Sequence, residues 1–167
     1  HAEIKAISFT GGTATGAHIA REAAPQFKKL SLELGGKNPN IIFADCNYEK
    51  MLNTTLRSSF ANQGQICLCG SRIFVEEGIY EQFKSDFVAK VSKMRVGNPT
   101  DPATKMGAVV SKSHMEKVLS YIALAKEEGG EILCGGKQVI PEDTAIAGGF
   151  FIEPTVIEGL KYDCRTN

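Results

Sequence analysis

Residues 4–24 read Ile-Lys-Ala-Ile-Ser-Phe-Thr-Gly-Gly-Thr-Ala-Thr-Gly-Ala-His-Ile-Ala-Arg-Glu-Ala-Ala. The first seven are rich in strand-forming residues and alternate roughly between apolar and polar, which predicts a β-strand. Gly11-Gly12-Thr13-Ala14-Thr15-Gly16 predicts a turn, and Ala17 to Ala24 a helix stopped by Pro25. Strand, glycine-bearing turn and helix in that order place free backbone N–H groups at a helix start, where they can receive a phosphate. Glycine lets the backbone approach an anion closely, and Thr13 or Thr15 can add a hydroxyl. The glycines at 11, 12 and 16 depart from the G-x-G-x-x-G spacing, and a tight turn that needs no ligand fits the pattern equally well.

Working outward, Lys29 to Leu34 alternates as a second strand and ends at Gly35-Gly36-Lys37. A strand closing on a carboxylate and two glycines sets Glu33 at a sheet edge or cleft, although a lone glutamate is usually just solvated. Asn40-Ile41-Ile42-Phe43 reads as a short strand of the fully buried type. Asp45 to Asn47 then cap a helix from about Tyr48 to Ala61, with Met51, Leu52, Thr55, Leu56, Ser59 and Phe60 on one face. The stretch from Phe60 to Gly70 follows, Phe-Ala-Asn-Gln-Gly-Gln-Ile-Cys-Leu-Cys-Gly. It sets Cys67 just after a glycine-broken polar turn, where backbone N–H groups favour the thiolate that a nucleophile requires. Read alone, Cys67 is better explained as a packed core thiol than as a nucleophile.

Further strands are predicted at residues 71–75 and 131–134, and two small extended pieces around Pro154. A helix over 79–94 carries Ile79, Phe83, Phe87 and Val91 at core spacing. Another covers about 111–128, with Met115, Val118, Leu119, Ile122 and Ala125 inward. Alternating strands and helices of this kind predict an α/β fold with a largely parallel sheet.

Composition narrows the function classes. The 167 residues include 19 Lys plus Arg and 19 Asp plus Glu, so no net field draws the chain to nucleic acid. No basic stripe interleaved with aromatics suggests a nucleic-acid platform. No apolar run is long enough to span a membrane, and His1-Ala2-Glu3-Ile4-Lys5 is not expected to begin a signal peptide. The five cysteines, 46, 67, 69, 134 and 164, are odd in number and irregular in spacing. They fit a reduced, intracellular chain better than a disulfide framework or a structural metal site.

Taken together, Phe9-Thr10-Gly11-Gly12-Thr13, Glu33-Leu34-Gly35-Gly36-Lys37 and Phe60 to Cys67 resemble three motifs of the NAD(P)-dependent aldehyde dehydrogenase superfamily. Gly97-Asn98-Pro99 and Phe151-Ile152-Glu153-Pro154-Thr155 are also of its kind, and the likeness runs from about residue 4 to 157. It implies Rossmann-type parallel sheets. Residues 1–35 would be the end of a cofactor domain, 36–157 most of a catalytic domain, and 158–167 a divergent tail. It further implies Cys67 as nucleophile, Glu33 as general base, and Gly11, Gly12, Thr13, Ala14, Thr15, Gly16 and Leu34 against the cofactor. That cofactor is NAD, with NADP also allowed; the substrate is a small aldehyde, and no metal is involved. Cys69 and Lys37 are expected to serve structure. A cytoplasmic location and a homo-oligomeric full-length protein follow by the same likeness.

The chain departs from the family pattern in carrying Gly12 where many members have serine. It is also far shorter than the family's usual polypeptide, so the resemblance implies a fragment. The expectation divides between an aldehyde-oxidising enzyme and a truncated, inactive piece with only a binding or structural role. A coenzyme A-acylating relative is disfavoured, because Glu33 supplies the hydrolytic base.

Overall fold

The computed structural model describes residues 1–166. The N-terminal unit pairs strand β1 (Ala6–Thr10) with β2 (Lys29–Glu33) in parallel, Ala6 opposite Lys29 and Thr10 opposite Glu33. Helix α1 (Thr13–Ala23) makes the crossover. It starts four residues earlier than expected. Gly12 takes the extended N-cap position (φ −72°, ψ 146°), so Thr13 to Gly16 form the first helical turn rather than a loop. Pro25 does end the helix, in a short 3₁₀ turn over Ala24–Gln26 that closes on left-handed Phe27.

A second parallel pair joins β3 (Pro39–Ile42) to β4 (Arg72–Val75), with Ile41 opposite Phe74 and Ile42 opposite Val75. Helix α2 (Tyr48–Phe60) connects them, and the Asn47 side chain caps it by accepting from the Lys50 N–H. Helix α3 (Glu77–Val91) follows β4. The expected stripe is the core here: Ile42, Leu52, Phe83, Phe87 and Val91 are buried together, and the Phe87 ring stacks on Phe83 and Phe60. Deleting a side chain of that kind typically costs about 3–5 kcal/mol.

The strand over 40–43 is not buried on both faces. Ile42 is 4% exposed, whereas Ile41 and Phe43 are each 62% exposed. Helices α2 and α3 lie on one side of the pair, and nothing among the described residues covers Ile41 and Phe43 on the other.

Helix α4 (Lys112–Glu127), capped by Ser111, packs Met115 with Val109 and Ile152 in a second cluster. The remaining strands pair antiparallel: β5 (Glu131–Cys134) with β8 (Val156–Glu158), and β6 (Gln138–Val139) with β7 (Phe151–Ile152). So the fold is α/β with two parallel pairs, and the expectation of a largely parallel arrangement fails in the C-terminal third. There β6 and β7 are joined by residues 140–150, which hold only the 3₁₀ turn Thr144–Ile146 and no crossover helix, so the chain returns antiparallel as a hairpin.

Strand β8 takes in Glu158, the first residue of the expected divergent tail, whose carboxylate accepts from the Tyr80 hydroxyl at 2.6 Å. Arg165 pairs with Glu128. Asn167, the last residue of that tail, lies outside the described residues. No helix among the described residues is long and apolar enough to cross a membrane.

Candidate active site

The β1–β2 pair runs parallel, so both strands end at the same edge, the place where parallel α/β sheets commonly receive ligands. The Gly11 N–H donates to the Glu33 carbonyl at 3.0 Å, tying the glycine turn to the end of β2. Helix α1 has no side-chain cap, so the N–H groups of Thr13, Ala14 and Thr15 open its first turn without intrahelical partners. Such groups, at the positive end of the helix dipole, suit an anion. All three residues are exposed, as are Gly11 and Gly12. A Cβ on Gly12 would meet nothing within 4 Å, which leaves the approach open.

Gly16 plays a different part. It is buried, its N–H is spent on the Gly12 carbonyl, and a Cβ there would lie 2.6 Å from a Leu34 methyl. Its service is to let α1 sit on Leu34.

Glu33 itself is exposed at the end of β2. The chain then passes through Gly35 and Gly36 to Asn38, and there it meets the cysteine loop. A Cβ on Gly36 would sit 3.7 Å from the Cys67 carbonyl oxygen. The Asn38 amide donates to that same carbonyl and, at 3.4 Å, to the carbonyl of Cys69. Burial and the Arg72 guanidinium lower the Lys37 amine from the usual lysine range, and Arg72 Nε donates to the Lys37 carbonyl at 2.9 Å.

Cys67 stands on a tight turn. The Cys69 N–H donates to the Ile66 carbonyl at 3.0 Å, leaving Cys67 and Leu68 at the turn's tip, both exposed. The approach is unusual: Asn62, Gln63 and Gly64 all have positive φ (49°, 55° and 72°). Glycine accepts this freely, asparagine tolerates it, and for glutamine it is strained. Three bonds fasten the loop to α2: the Gly70 N–H to Ser58 Oγ and to the Ser58 carbonyl, and Ser59 Oγ to the Gly70 carbonyl. Cys69 is 5% exposed and packs inward, beside the Ala61 carbonyl.

The structure therefore brings the glycine turn, the Glu33 segment and the Cys67 turn into one run of contacts. Sequence reasoning missed Asn38, Ser58 and Ser59 as the fasteners of this loop. Their only signal was polarity beside a motif, which ordinary solvation explains equally well. All five cysteines are free. No cluster of three or more His, Cys, Asp or Glu among the described residues could hold a metal ion.

Residues 1–166 match the family model described as the aldehyde dehydrogenase family. The chain is 51% identical to 2-aminomuconic semialdehyde dehydrogenase of Mus musculus over 166 residues, 99% of this chain and 34% of the relative. It is 50% identical to the Danio rerio protein of that name over 164 residues, 96% of this chain and 33% of the relative. Among solved structures, betaine aldehyde dehydrogenase from Staphylococcus aureus in complex with NAD+ superposes with a TM-score of 0.93 at 42% identity. That match covers 99% of this chain and 33% of the other. The chain thus spans about a third of the length of the relatives it matches. With a family model matched over nearly its whole described length, the chain belongs to the aldehyde dehydrogenase family.

Proposed function

We propose that this chain carries the nucleophile and the base of an enzyme that oxidises an aldehyde to a carboxylic acid with NAD+. What supports the reading is the run of contacts from Gly11 through Glu33 and Leu34 to Gly36, Asn38 and Cys67. The residues at the start of α1 fit a dinucleotide's pyrophosphate by their donor set: three unpartnered N–H groups, an open Gly12, and no side-chain cap competing for them. Thr13, Ala14 and Thr15 would hold the phosphates, Gly11 and Gly12 would allow their approach, and Leu34, seated on Gly16, would border the nicotinamide. Bound there, NAD+ supplies a hydride acceptor.

Cys67 attacks the carbonyl carbon as a thiolate, forming a C–S bond and a tetrahedral oxyanion. Backbone N–H groups of its turn stabilise that charge, a contribution typically worth several kcal/mol. Once the hydride has left, the acyl group remains on sulfur as a thioester. Glu33 takes a proton from water, hydroxide adds to the thioester carbon, and the C–S bond breaks to return the thiolate. In sum, aldehyde, water and NAD+ give carboxylic acid, NADH and a proton. Because two relatives reported above are named for 2-aminomuconic semialdehyde, that compound is the first substrate to try.

We further propose the division near residue 35 between cofactor and catalytic units, since β1–β2 and β3–β4 form separate sheets. We assign the enzyme to the cytoplasm, where five unpaired thiols persist, and the full-length form to a homo-oligomer by family analogy. A second reading is a catalytically inactive piece with only a binding or structural role.

NADH formation from a panel of aldehydes separates the two readings. Cys67→Ala should abolish it. Glu33→Gln should leave one round of acylation and slow release by on the order of 10²–10⁴-fold. Steady turnover by Cys67→Ala would refute the mechanism, and an inert wild-type chain would leave the second reading standing.

A further inference from the structure

We infer that Asn38 is a positioning residue for the nucleophile, acting through the backbone of Cys67. The inference rests on the reading of Cys67 given above.

Asn38 stands where the Glu33 segment enters β3. Its own carbonyl accepts from the Arg72 N–H at 3.3 Å, and its neighbour Pro39 lies opposite Arg72 in the ladder. The side chain therefore extends from an anchored stretch of backbone. Its amide nitrogen has two hydrogens and spends them on two acceptors of one turn, the carbonyls of Cys67 and Cys69. The Ile66–Cys69 turn is otherwise closed by a single backbone bond. Asn38 grips both sides of its tip.

The consequence follows from peptide planarity. No peptide among the described residues is cis. In a trans unit the C=O and the following N–H point in opposite directions. Drawing the Cys67 carbonyl toward Asn38 thus turns the Leu68 N–H away from Asn38. Cys67 and Leu68 are both exposed, and neither N–H has a hydrogen-bond partner among the described residues. An oriented N–H beside a sulfur favours the thiolate over the thiol. Gly36 lies beside the arrangement: a Cβ there would stand in ordinary van der Waals contact, 3.7 Å from both the Asn38 amide oxygen and the Cys67 carbonyl oxygen.

The grip also couples two halves of the site. Asn38 lies five residues beyond Glu33 in the chain and holds the backbone of Cys67, so one side chain sets the Cys67 turn against the Glu33 segment.

The test reads the thiol directly and needs no turnover. Asn38→Leu keeps the approximate shape without either donor, while Asn38→Ser restores one short donor. Iodoacetamide labelling of the full chain, resolved by peptide mass across pH, follows each cysteine separately. In Asn38→Leu the Cys67 labelling rate at neutral pH should fall on the order of threefold. Asn38→Ser should lie between, and Cys46 and Cys134 should label as in the wild type. An unchanged Cys67 profile in Asn38→Leu overturns the inference. So does equal acceleration of all cysteines in both variants, which would make Asn38 a general support of the fold. If the Cys67 profile shifts but Cys67→Ala still oxidises aldehydes, the positioning holds and the assigned reaction fails.

Discussion

At the scale of single residues, the start of α1 shows how one atom's absence serves two ends. Gly12 leaves the helix uncapped, which costs stability, and leaves its N–H groups open for an anion. Its backbone (φ −72°, ψ 146°) is one that any residue adopts, and nothing stands within 4 Å of a Cβ there. Gly12→Ser should therefore supply the missing cap and reduce the freedom of the unfolded chain, raising stability by about 0.5–1 kcal/mol in urea unfolding. A loss of stability would show that the turn resists a side chain. Cys67 and Glu33 were legible as candidates because their motifs are local in sequence. Asn38 was not, because its partners lie 29 and 31 positions away and only the β3–β4 pairing brings them within reach.

At the scale of elements, α2 and α3 were readable from spacing alone: Leu52 on one and Phe83, Phe87 and Val91 on the other are all buried. The α1 boundary was misjudged because glycine at position 16 reads as a breaker, whereas packing against Leu34 compensates its poor helix propensity. The two helices are also joined by a polar contact. The Tyr48 hydroxyl donates to Asp86 at 2.8 Å, and burial followed by that carboxylate pushes the phenol from 10.0 up to about 12. A pKa raised on folding means that the neutral phenol is the form the fold favours. Its contribution is fully present below pH 10 and is lost as pH rises toward 12. The wild type should thus lose stability across that window more steeply than Tyr48→Phe, measured by denaturant midpoints at successive pH values. Parallel curves would dissociate Tyr48 from the alkaline transition.

At the scale of the whole molecule, the β3–β4 sheet is covered on one face only. Ile41, Phe43 and Phe74, which are 62%, 62% and 46% exposed, stand together on the other. Parallel sheets normally have both faces covered, and an open apolar face and strand edge invite association. Replacing the facing pair by Ile41→Thr and Phe74→Thr should lower light scattering and binding of an apolar dye. Stability should stay within about 0.5 kcal/mol per site, as for surface changes generally. Unchanged scattering would place the sticky surface elsewhere, for instance at Val110 or Ile140. The sequence by itself determined the local matters: strands and helices by periodicity, the stops by glycine and proline, and Cys67 and Glu33 as candidates by motif. Those signals are carried by neighbours along the chain, so they survive without the fold. Only the tertiary structure decided that the C-terminal strands run antiparallel, that Gly16 packs while Gly12 stays open, and that Asn38 holds the Cys67 turn. Each of these depends on groups distant in sequence meeting in space, and no local pattern encodes such a meeting.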